Sequence, residues 1–177
     1  MALSGGLDIT CADEGRRGGL KKLWIIERDD ITSFTTGSSH DYSGVTLGSG
    51  KIFRLFEFED FTASAVGESS AENGSKIINR TLEFKIPKMN QEKALILQEL
   101  FTTCRVVACV QDFNGAFFIA GYDDFLLHKA AMIATVAEST GAGLQDENGY
   151  TVTLTGVSAE LLREFTGSTT GSDFEQS

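Results

Sequence analysis

The chain has 177 residues, with 15 basic and 25 acidic side chains and a formal charge of −10, one domain's worth of polypeptide with an acidic surface. Its 41% hydrophobic content and 13 phenylalanines are enough for a buried core, which excludes global disorder. The mean hydropathy is −0.05, no apolar run approaches the roughly 20 residues of a membrane span, and negative charge without a basic, aromatic-studded stripe disfavours a nucleic-acid grip.

Met1 to Thr10 lacks the basic and apolar regions of a secretory signal, and three cysteines are an odd number, so a reducing cytosol is the expected compartment of synthesis. Met1 to Gly19 reads as an extended, Gly-rich arm. Leu23 to Ile26 form an apolar run ended by Asp29-Asp30, the pattern of a strand. Ile31 to Gly50 is dominated by Ser, Thr and Gly and reads as a loop with one short edge strand. Lys51 to Phe61 and Ser75 to Pro87 are the most strand-like segments, and they are expected to pair as a long hairpin with one wet and one dry face. Between them Thr62 to Gly74 offers thirteen small or acidic residues, with Val66 the only sizeable apolar one. This reads as a long functional loop, because hairpin connections usually have about two to five residues.

Pro87 closes that strand, and Asn90 then caps a helix over 90–103 in which Ala94, Leu97 and Phe101 recur on one stripe. Cys104 to Asp112 and Ala116 to Tyr122 flank Asn114-Gly115, read as a type I′ turn. Ala130 to Glu138 and Gly149 to Val157 form a third hairpin, with Asp146, Asn148 and Gly149 as turn formers and Asn148-Gly149 expected to supply the positive φ angles. Ala159 to Phe165 is one helical turn or a last edge strand, and 166–177 has the composition of a flexible tail. The expected fold is mainly β: a sandwich or barrel of about seven strands over 20–165 with one flanking helix. Doubly wound α/β is excluded because strands and helices do not alternate.

Chemistry is nearly absent from the pattern. On a strand the Cys104–Cys109 spacing spans about 16 Å and puts the two on opposite faces, beyond disulfide reach. His40 and His128 lack metal-ligand spacing, so neither metal nor cofactor is expected. The basic run Arg16, Arg17, Lys21, Lys22 is not followed by Ser or Thr and leads into a strand, unlike a phosphate loop. Asp123-Asp124, His128 and Cys104 or Cys109 form no nucleophile–base–orienter line, and no enzyme is expected.

Phe118 to Gly121 with the following Asp pair, Ala134 to Ala137, Ser139-Thr140-Gly141 and above all Gln145 to Gly156 resemble the C-terminal half of the tail tube proteins of long-tailed bacteriophages and related phage-like elements. The resemblance implies a β-sandwich whose copies close their inner strands into hexameric rings, and rings that stack through the arm and the long loop into a hollow tube for DNA passage. The implied partners are further copies of the chain, tape-measure, tail terminator and baseplate proteins, and DNA that passes without specific binding. The implied location is the virion tail. On that model Arg16, Arg17, Phe61, Val66, Glu68, Glu72 and Asn73 serve subunit contacts, Glu57, Glu59 and Glu83 face the lumen, and Asn114, Gly115, Asp146, Asn148 and Gly149 are structural turns. The alternatives are another virion part (terminator, baseplate or head decoration) and a carbohydrate-binding β-sandwich that stacks sugars on Trp24 and tyrosines.

Overall fold

The computed structural model describes residues 17–176. Within them eleven strands form three antiparallel sheets, joined by one helix. A central five-stranded sheet runs in the order β11 (Arg163–Glu164), β8 (Phe117–Ala120), β7 (Val106–Asp112), β1 (Leu20–Glu27), β4 (Arg54–Leu55). A four-stranded sheet runs β5 (Ser64–Glu72), β6 (Ser75–Pro87), β10 (Gly149–Ser158), β9 (Ile133–Ser139). β2 (Ile31–Thr36) and β3 (Tyr42–Leu47) make a separate hairpin.

The central sheet is covered on both faces, which explains its unbroken apolar runs. Val106 to Val110 are all buried, and their alternate side chains enter two different cores. One core packs Leu23, Ile25, Val106, Ala108 and Val110 against Leu82, Phe84, Ile86, Val152 and Leu154 of the four-stranded sheet. The other packs Trp24, Ile26, Val107 and Cys109 against Ile31, Phe34 and Tyr42 of the β2–β3 hairpin and against Phe53, Phe165 and Phe174. This three-layered arrangement replaces the single seven-stranded sandwich expected from the strand count.

The helix α1 (Gln91–Thr102) starts at Asn90, whose side chain accepts the Lys93 amide at 2.8 Å and satisfies one orphan donor of the first turn. Leu97 and Leu100 are its buried residues, in the same core as Ala134 and Val136 of β9.

Several pairings differ from expectation. Residues 51–61 form no ladder with β6 and meet its backbone only where the Glu59 amide donates to the Lys85 carbonyl at 2.8 Å. They contribute only Arg54–Leu55 to the edge of β1, because Phe53 belongs to the second core while Phe56 and Phe58 pack on the first. A segment that must pass from one core to the other around a sheet edge cannot stay in one ladder. The partner of β6 is instead β5, inside the stretch 62–74 expected to be a loop. Ala63 and Ala65 lie on the core side, and small side chains suffice for an edge strand held by a long neighbour. The true connection is Asn73-Gly74, with φ of 51° and 78°, the positive pair that a two-residue hairpin turn requires. Ile31 to Gly50 is a full hairpin, and 159–165 ends in edge strand β11. The tail is not loose either. Phe174 is 3% exposed and sits in the second core.

Candidate assembly surface

The four-stranded sheet has one dry and one wet face. On the wet face the ladder aligns Ser64, Glu83, Thr153 and Thr135 in one row, and Val66, Thr81, Thr155 and Ile133 in the next. Their buried neighbours Leu82, Phe84, Val152, Leu154 and Ala134 point the other way, so the period of two holds on β6, β10 and the start of β9, while β5 is largely exposed. Val66 is 50% exposed. The result is a threonine-rich surface with acidic residues set into it. Among the described residues, β5 and β9 each carry a ladder on one side only, so both outer edges of this sheet offer unpaired backbone.

The expected lumen residues divide. Glu83 stands on the wet face. Glu59 and Glu83 both lie close enough to Lys85 to help hold its ammonium charged above the usual lysine range, after the larger effect of Glu147, which pairs with it at 2.6 Å. Glu57 instead borders a groove between α1 and β4, together with Arg54 and Lys93.

The expected contact residues also divide, to opposite ends of β5. At one end Arg17 exchanges two hydrogen bonds with Asn114: its amide donates to Oδ1 at 3.1 Å, and its carbonyl accepts from Nδ2 at 3.3 Å. Phe61 stands beside this point. It is 82% exposed, stacks on Phe113 with centroids 5.6 Å apart, and has φ of 62°. A bulky side chain in the left-handed region is a strained choice. At the other end, roughly 26 Å away at ~3.3 Å per residue, are Glu72 and Asn73. There the β5–β6 hairpin runs past β10, whose ladder with β6 ends at Ile78–Ser158. Glu68 lies between, opposite Asn79. Arg16 lies outside the described residues, as do 1–15 of the expected arm.

Two turn expectations need correction. Asn114-Gly115 is not a type I′ turn. Only Gly115 has positive φ, 95°, and its amide bonds to the Asp112 carbonyl at 3.2 Å, the pattern of a type I turn followed by a left-handed glycine. Neither Asn148 nor Gly149 takes positive φ. Asn148 receives the Met89 amide on Oδ1 at 3.0 Å and so ties the loop to the entry of α1. Gly149 is required by space, since a Cβ there would lie 2.3 Å from the Ile86 carbonyl oxygen. Asp146 does serve a turn. Its carboxylate accepts the Gly143 and Ala142 amides at 2.6 and 2.8 Å, and these bonds hold it below the ordinary carboxyl range.

A buried polar cluster was missed by sequence reasoning. Arg80 is 7% exposed on the dry side of β6 and donates to the Glu160 carbonyl and to Ser158 Oγ. Ser158 Oγ in turn donates to Asp123 at 3.0 Å. The signal was available, because Arg80 has the same parity as Ile78, Leu82, Phe84 and Ile86 and a charge there demands partners. Asp123 spends its remaining capacity on the amides of Phe125, Leu126 and Ala159. Cys109 is buried and its thiol is pushed up by desolvation, while Cys104 is exposed. The side chain of His128 and all of Cys11 lie outside what is described. Among the described residues no group of three or more His, Cys, Asp or Glu could hold a metal, and no helix is long and apolar enough to cross a membrane. Compared with known family models, curated proteins and solved structures, the chain finds no match.

Proposed function

We propose that this chain is a self-assembling subunit of a hollow tube of the phage-tail kind, closing into rings through the edges of its four-stranded sheet. The observation that carries the reading is a sheet with one dry face, one threonine-rich wet face and two edges on opposite sides that carry no further strand among the described residues. Unpaired edges of nine and seven residues are an aggregation hazard unless something pairs with them. A heterologous β5-to-β9 contact repeats from copy to copy and closes a ring when the rotation allows it, leaving the wet face inside. The residues at the two ends of β5 then fall on opposite rims of the ring. Glu72 and Asn73 on the projecting hairpin meet the rim that carries Arg17 and Phe61 of the next ring.

Six copies, a lumen faced by Glu59 and Glu83, passage of DNA, and the tape-measure, terminator and baseplate partners all belong to this proposal. So does location in a virion tail. Acidic groups on a lumen repel phosphate and let DNA pass without adhering. The carbohydrate module is disfavoured by burial, since Trp24 is 3% exposed and Tyr42 and Tyr150 are buried too, which leaves only the half-buried Tyr122 as a platform for a sugar. Negative-stain electron microscopy with sedimentation across a concentration series tests the reading. Rings or hollow tubes are the expected result. A monomer at every concentration, with or without a preassembled nucleus, counts against it, and a single ring that never stacks moves a terminator or other virion part ahead.

A further inference from the structure

The second core is completed by one residue, Phe174, from a segment that belongs to none of the sheets. Phe174 stacks on Phe53 with ring centroids 4.7 Å apart and planes 5° apart, and it meets Trp24 edge-on at 5.8 Å. Phe165 lies 5.7 Å away. The backbone on either side of Phe174 bonds to one residue next to β4: the Phe53 amide donates to the Asp173 carbonyl at 2.8 Å, and the Glu175 amide donates to the Phe53 carbonyl at 2.9 Å. Glu175 is read at three atoms. Its carbonyl accepts Trp24 Nε1 at 3.0 Å, its Oε2 accepts the Leu55 amide at 3.0 Å, and its Oε1 lies 3.7 Å from Arg54 Nη1.

These are the features of a short strand bound to a sheet edge: main-chain bonds for affinity, one aromatic anchor in a pocket, and a carboxylate read by an amide and an arginine. The tether is different in kind. Residues 166–172, Thr-Gly-Ser-Thr-Thr-Gly-Ser, bury no side chain. Such a linker supplies an effective concentration in the millimolar range, so weak intrinsic affinity is enough to keep the slot filled from within.

We propose that the slot formed by Trp24, Phe53, Phe165 and the β4 edge is a strand-acceptor site for an extended Asp-Phe-Glu segment. It is filled by residues 173–175 of the same copy and, when copies are held side by side, by those of a second copy. The second copy is the fitting donor because it carries the matching sequence on a tether of seven residues, which spans roughly 24 Å when extended. None of the three sheets has to open for that exchange. This inference is independent of the ring reading.

Trp24 is the only tryptophan of the chain and touches the anchor, so its emission reports occupancy. In the full chain carrying Phe174→Ala, Trp24 emission should shift to longer wavelength. A peptide of residues 170–177 should restore the original emission saturably. The same peptide with Phe174→Ala should have no effect at tenfold higher concentration, and with Glu175→Gln it should bind several-fold more weakly. A full chain carrying Trp24→Phe, silent itself, should also restore the signal when mixed in excess and should co-sediment with the acceptor. Failure of the intact peptide to restore it, or equal restoration by the Phe174→Ala peptide, overturns the acceptor site, and peptide binding without any response to the silent copy overturns exchange between copies. Should Phe174→Ala prevent folding, a site-specific protease sequence replacing residues 168–171, cut after folding, gives the second test. Uptake of a labelled peptide by the cut protein, and none by the uncut protein, is expected. Absence of uptake after cutting overturns the proposal.

Discussion

Cysteines placed on β5 and β9 put the ring contact to a geometric test. In the sheet order β5-β6-β10-β9 the two strands are separated by three interstrand spacings, about 14 Å at ~4.8 Å each. That is about twice the ~7 Å Cα separation beyond which a disulfide cannot form without backbone movement. Val66 and Thr135 both project from the wet face, opposite Thr81 and Thr153. A bond between cysteines at these positions therefore cannot form within a native copy and reports only contact between copies. The register across the contact is not set by one subunit, so Ser64, Val66 and Glu68 are each replaced in combination with Thr135→Cys, stepping by ~6.6 Å along the strand. Cys11 and Cys104 are changed to Ser beforehand. Cys109 can stay, because it is buried and its thiol is held protonated. Oxidation at a concentration where sedimentation shows assembly should give, for at least one pair, a ladder on a non-reducing gel ending at the covalent ring. Monomer in all three pairs under those conditions would refute edge-to-edge closure, whatever else joins the copies.

Phe61→Gly should relieve left-handed strain of about 1–2 kcal/mol while losing an exposed aromatic stack of about 0.5–1.5 kcal/mol. Stability by urea titration should therefore change by less than about 1 kcal/mol, and a loss beyond ~2 kcal/mol would show that Phe61 is a structural anchor. Asp146 has a folded carboxyl held below its ordinary 3.8, so its stabilisation of 141–146 is present above that value and is lost as pH falls through the lower folded one. Protection of the Ala142 and Gly143 amides, taken relative to their intrinsic exchange rates, should fall in that acid window, and Asp146→Ala should show the loss of protection already at neutral pH; unchanged protection in the variant would remove the carboxylate from the account. With Cys11 and Cys104 replaced, Cys109 should be alkylated at least ~10³-fold more slowly than an exposed thiol, at a rate that follows global unfolding. Alkylation as fast as that of Cys104 would mean that the central strand opens locally.

Much of the fold was legible from local pattern. The cap at Asn90 and the span of α1, the β7–β8 hairpin, and the alternation of Tyr150, Val152 and Leu154 against threonines each follow from residues adjacent in the chain; the buried stripe of α1 did not, since Leu97 and Leu100 carry it and Phe101, expected there, is exposed. The mainly β class followed from these. The wet and dry faces of β6 were legible for the same reason, and with them Glu83. What did not follow was partnership. Nothing near Ser64–Glu72 announces a strand, because its stabilisation comes from the backbone of β6 rather than from its own small side chains. The Phe-rich stretch 53–58 carries a convincing strand signal, yet its phenylalanines are divided between two cores, a division that exists only once the central sheet is covered on both faces. The tail reads as solvent-loving because one phenylalanine among Gly, Ser and Thr gives no periodicity, and a single aromatic finds its slot only after Trp24, Phe53 and Phe165 have been brought together from three distant parts of the chain. Periodicity records which face of an element is buried; which element buries it is settled by contacts between residues far apart in sequence, and those the tertiary structure alone decides.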